Sequence, residues 1–67
     1  MSSLAEEIET RVRRSTQDRI RDLIVREDHG RILMRGRAPS QHVKQLALYG
    51  ALESLSGHHL RAEIIVR

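Results

Sequence analysis

Apolar side chains first recur at every fourth position, at Leu4, Ile8 and Val12, with Ala5 beside them. The positions between are charged: Glu6, Glu7 and Glu9, then Arg11, Arg13 and Arg14. One narrow apolar stripe at this period predicts a helix buried along one face. Ser3, three residues ahead of Glu6, has the spacing of a capping box that starts it. Acid before base suits the helix dipole. Glu7–Arg11 and Glu9–Arg13 are spaced to pair across one turn, so these charges read as a solvated helical face. The polar run Ser15 to Asp18 closes the element.

The period then changes from four to two. Leu23 and Val25 alternate with Asp22, Ile24 and Arg26, which predicts a strand over about 20–27. In that register Arg21, Leu23, Val25 and Glu27 share the face turned to the core. Asp28-His29-Gly30 reads as a tight hairpin turn with Gly30 at positive φ. A second strand follows over 31–37, with Ile32, Met34 and Ala38 facing inward. Pro39 ends it, and Ser40 is placed to cap a second helix over 41–55.

On that helix Val43, Ala47, Leu48, Ala51 and Leu55 fall on one arc, with Gln41, His42, Gln45 and Glu53 opposite. Gly50 costs about 1 kcal/mol relative to alanine inside a helix. With Ala47 and Ala51 nearby, it implies a close helix contact. Gly57 is placed as the residue that ends the helix. The last segment alternates most regularly: Leu60, Ala62, Ile64 and Val66 against Arg61, Glu63, Ile65 and Arg67.

The order is α-β-β-α-β. The expected architecture is a two-layer α+β sandwich, with two helices packed on one face of a three-stranded mixed sheet. The first two strands form an antiparallel hairpin, and the second helix crosses over to a parallel third strand. The whole chain, 1–67, reads as one domain.

Composition narrows the chemistry. The chain has no cysteine, which removes disulfides and thiolate metal sites. Its one aromatic residue is Tyr49, so the core must be aliphatic. Twelve basic residues stand against nine acidic ones, for a formal charge of +3. That balance favours anionic partners, and it also serves solubility.

The outward face of the predicted sheet is the main candidate site. It holds Arg26, Arg31, Arg35, Arg37, Arg61 and Arg67 together with Ile24, Leu33 and Ile65. Arginine makes paired contacts to phosphate and carboxylate oxygens, and exposed aliphatics can enter a lipid head-group layer or a partner's surface. The same pattern also occurs on a solvated sheet face whose arginine stems cover scattered aliphatics. The four histidines, His29, His42, His58 and His59, show no helical metal-ligand spacing and read as polar turn and surface residues. No nucleophile elbow, zinc-protease motif or phosphate loop is present. Nothing calls for a cofactor, and the expectation is a protein without catalytic activity.

Gly30-x-Ile32-x-Met34-x-Gly36, then Pro39-Ser40, an alanine-bearing helix, Gly57 and an alternating final strand together resemble the BON domain, across about residues 4 to 66. The chain departs from that family's pattern at His58 and Ala62, where valine and asparagine are common. The resemblance implies a small non-catalytic module associated with membrane surfaces and proposed to bind phospholipid.

The expected partners are therefore an anionic phospholipid surface or an acidic protein. The second class of function is nucleic-acid binding, since the element order and surplus arginine also compare with a KH-type RNA-binding module. That module's GXXG loop is missing here, as are stacking aromatics. A third expectation is weak homodimerisation through an edge strand. No secretory signal and no apolar run of membrane-spanning length occurs, so the chain as written is expected to be cytoplasmic, peripheral to a membrane where its basic face docks.

Overall fold

The computed structural model describes residues 3–55 and 57–67. The elements follow in the order α1 (Leu4–Ser15), β1 (Arg21–Asp28), β2 (Arg31–Ala38), α2 (Gln41–Leu52) and β3 (His59–Val66). The sheet runs β1-β2-β3, antiparallel between β1 and β2 and parallel between β2 and β3. Both helices lie on one side, α1 against β1 and α2 against β3 and β2, and they pack on each other. This is the α+β sandwich that the alternating patterns predict.

Each helix starts where a serine answers orphan amides. Ser3 Oγ accepts from the Glu6 amide at 3.2 Å, and Ser40 Oγ accepts from the Val43 amide at 3.3 Å. The stop of α1 is tighter than composition alone suggests. The buried Thr16 donates its hydroxyl to the Val12 carbonyl at 2.8 Å, and Gln17 and Asp18 then turn left-handed, at φ 56° and 59°.

The core contains Ile8 and Val12 from α1, Leu23, Ile32, Met34, Ala38 and Ile64 from the sheet, and Val43, Ala47 and Ala51 from α2. Ile20 and Leu55 join it from connecting segments. Gly50 sits at the helix crossing. A Cβ there would press on the Ser15 side chain and lie 3.3 Å from the Arg11 carbonyl oxygen. Ser15 Oγ also donates across the crossing to the Leu46 carbonyl at 3.0 Å. The glycine is therefore what lets the two helices approach.

Three expectations are corrected. Helix α2 ends at Leu52 with Glu53 as its cap, not at 55, so Gly57 is not the residue that ends it. Leu55 reaches the core from the following loop, and Gly57 turns that loop at φ +82°. Glu7 does not pair with Arg11. Arg11 instead reaches Glu53 across the helices at 3.7 Å, while Glu9–Arg13 forms as spaced, at 3.7 Å.

The third correction concerns Arg21. The β1–β2 register slips by one residue between Arg21 and Ile24, and Asp22 has φ 54°. An extra residue in an edge strand is a bulge, and it reverses the side-chain parity beyond it. Arg21 therefore stands opposite Arg37 on the outer face, not beside Leu23 in the core.

Candidate anion-binding face of the sheet

Register decides what the bare side of the sheet displays. Reading from β1 through β2 to β3, its rows are Arg21–Arg37–Ile65, Ile24–Arg35–Glu63, Arg26–Leu33–Arg61 and Asp28–Arg31–His59. The hairpin that aligns them is a two-residue turn with both His29 (φ 50°) and Gly30 (φ 80°) left-handed. That is the geometry matching strand twist. Arg67 lies one residue past β3, anchored by its amide to the Ala38 carbonyl at 2.8 Å.

All six arginines expected on this face lie on it or at its end, and Arg21 joins them. They are not one uniform field. Glu63 stands between two of them, 3.5 Å from Arg35 Nε and 3.3 Å from Arg61 Nε. Asp22 accepts from both Nε and Nη2 of Arg37, the Nε contact at 3.0 Å. Among the described residues Arg21, Arg26, Arg31 and Arg67 form no ion pair. Exposed pairs of this kind contribute at most about 1 kcal/mol each, so Asp22 and Glu63 mainly fix the direction of the guanidinium groups they hold.

Ile24, Leu33 and Ile65 all lie on this face, in two adjoining hollows. Ile24 and Ile65, 44% and 54% exposed, line one shallow hollow with Arg35 and Arg37 between them. Leu33 is half-buried in the adjoining hollow with Asp28, Arg31 and Arg61.

At the end of the sheet where β1 begins and β2 and β3 finish, Arg21, Arg37 and Arg67 line one hollow of about 160 Å³ with Ala38 and Pro39. Each of the three arginines comes from a different strand or its end. Arg21 could not be found from alternation, because alternation places it in the core. The only local hint is Asp22, one of the residue types that tolerate a left-handed backbone.

The histidines are dispersed. His29 Nδ1 lies 2.7 Å from Asp28 in the exposed hairpin. His58 Nδ1 donates to the Leu55 carbonyl at 2.9 Å, with Nε2 3.8 Å from Glu27. Among the described residues no three His, Cys, Asp or Glu side chains gather as a metal site, and no helix is long and apolar enough to cross a membrane. No protein-family model matches the chain, and neither does any curated protein or solved structure.

Proposed function

We propose that this chain is a BON-like, non-catalytic docking module whose bare sheet face binds an anionic phospholipid surface. The carrying observation is the partition of charge. The sheet face and its end hold Arg21, Arg26, Arg31, Arg35, Arg37, Arg61 and Arg67 against Asp22, Asp28 and Glu63. The remaining charged residues nearly balance: Arg11, Arg13, Arg14, Arg19 and Lys44 against Glu6, Glu7, Glu9, Asp18, Glu27 and Glu53. The excess of the whole protein thus resides on one side.

The chemistry fits lipid phosphate. Arg21, Arg37 and Arg67 line one hollow and can donate to phosphate oxygens, Arg37 through the N–H groups that Asp22 leaves free. Ile24 and Ile65 flank the adjoining hollow and supply apolar contact for the head-group layer. A base-stacking aromatic, which single-stranded nucleic acid would use, is absent from the rows of this face. The element order and the Gly30 hairpin support the BON-like reading.

The test is flotation with vesicles of phosphatidylglycerol and phosphatidylcholine, compared with phosphatidylcholine alone. Each arginine near an anionic leaflet contributes about 1 kcal/mol. Arg21→Glu/Arg67→Glu should then weaken partitioning by roughly 4 kcal/mol, on the order of a thousandfold. A wild-type protein that stays with the soluble fraction overturns the reading. So does a double variant that floats as well as wild type. Tight binding to RNA in parallel titrations at two salt concentrations, with silent vesicles, would place the module among nucleic-acid binders.

A further inference from the structure

The two edges of the sheet are unlike each other. The β1 edge is blunted by the bulge at Asp22, a common way of preventing strand addition. The β3 edge has no bulge. It pairs with β2 over eight consecutive residues without a register shift, and His59–Val66 contains neither proline nor glycine. The Arg67 amide donates to Ala38 across the β2–β3 ladder. In a parallel ladder that direction repeats at every second residue. The backbone groups of His59, Arg61, Glu63 and Ile65 therefore serve β2, and those of Leu60, Ala62, Ile64 and Val66 point outward from the sheet.

We propose that this edge pairs antiparallel with the β3 edge of a second copy of the chain, about a two-fold axis at Ala62. The pairing is independent of the docking reading. In that register the outward backbone groups of Ala62 meet those of the other Ala62, and Leu60 meets Ile64. Between these hydrogen-bonded pairs, Arg61 stands opposite Glu63 of the second copy, twice. These are the narrow, non-hydrogen-bonded positions where side chains approach most closely.

Charge selects the register. Centring on Glu63 sets that carboxylate against itself, and centring on Arg61 does the same for the guanidinium. Centring on Ile64 sets Arg61 against Arg67. Centring on Ile65 pairs Glu63 with Arg67 but leaves Leu60, Arg61 and Ala62 without partners. The Ala62 register alone uses most of the strand and answers both charges.

The flank of α2 supplies apolar surface beside this edge. The Leu46 carbonyl accepts from Ser15 of α1, and Gly50 lies against Ser15 and Arg11. At helical spacing, Leu48 and Leu52 fall on the opposite side, the β3 side of the helix layer. Leu52 is 55% exposed, and Leu48 and Leu60 are half-buried. A copy added at β3 extends its own α2 alongside them. It also continues the sheet so that both arginine faces lie on the same side.

The experiment measures mass by sedimentation equilibrium over a rising concentration series. Wild type should show a monomer–dimer equilibrium. Arg61→Glu and Glu63→Arg, each alone, should weaken it by roughly tenfold or more, since two attractive pairs become repulsive. Mixing the two variants should restore association as a heterodimer, because two carboxylates on one β3 edge then face two guanidinium groups on the other. Ala62→Pro removes an outward amide and should give a monomer with an unchanged far-ultraviolet circular dichroism spectrum. A wild type that remains monomeric throughout overturns the proposal. A dimer indifferent to the single reversals, or variants that fail to associate on mixing while each stays folded, overturns it equally.

Discussion

The helix side of this molecule and its bare sheet side both carry arginines, yet the two treat charge differently. On the helix side acidic and basic residues share the same elements and pair with each other. Arg13 lies within 4 Å of Glu9 and Asp18, and Arg11 reaches Glu53. A hollow of about 470 Å³ beside α1 is lined by Glu6 and Glu7 as well as Arg11 and Arg14. On the sheet side, Asp22 and Glu63 restrain three guanidinium groups, and four more arginines have no ion-pair partner among the described residues. Part of that pairing is local, since Glu9 and Arg13 lie one turn apart, and part joins the two helices, as Arg11 and Glu53 do. A sheet face is assembled from three distant segments, so its charge is set by register.

The comparison can be broken at its scaffold first. Met34 lies fully buried beneath the helix layer, at the centre of β2. Met34→Ala should cost about 2–5 kcal/mol. A domain of this size has only about 3–10 kcal/mol in total, so urea unfolding should show a fraction of wild-type stability or no cooperative transition. The next effect is at the helix crossing. Gly50→Ala gains helix propensity but forces Ser15 away and loses its bond to Leu46. A net loss of about 1–2 kcal/mol should appear in the thermal midpoint.

Smaller effects sharpen the contrast between the sides. Arg13→Glu/Arg14→Glu changes the net charge as much as the sheet-face pair of reversals does. Flotation on anionic vesicles should hardly change, and a loss equal to that of Arg21→Glu/Arg67→Glu would show that only net charge matters. Asp22→Asn keeps a residue suited to the left-handed backbone and releases Arg37. Its stability should stay within about 0.5 kcal/mol of wild type, while vesicle affinity rises several-fold. An unchanged affinity would mean that Arg37 takes no part in binding.

Much of the fold was legible because its signals are local. Ser3 and Ser40 announce the helix starts, Asp28-His29-Gly30 announces the hairpin, and the alternation from Leu23 through Val25 and from Leu60 through Ile64 assigns each side chain to a face. The arginines of β2 could be placed outward for the same reason. What could not be seen was Arg21, because one inserted residue at Asp22 inverts the parity of everything before it. The end of α2 was also hidden. Leu55 continues the apolar arc of the helix by spacing, yet it reaches the core from a loop, where tertiary packing and not helical period holds it.

The chain by itself determined the periods of burial, and through them the elements and the sidedness of most residues, since each period is a property of neighbouring backbone units. Tertiary structure alone decided which strand lies in the middle, which edge stays open, and that three arginines far apart in sequence share one hollow. Those outcomes depend on pairing between distant segments and on a single bulge, and no run of adjacent residues encodes either.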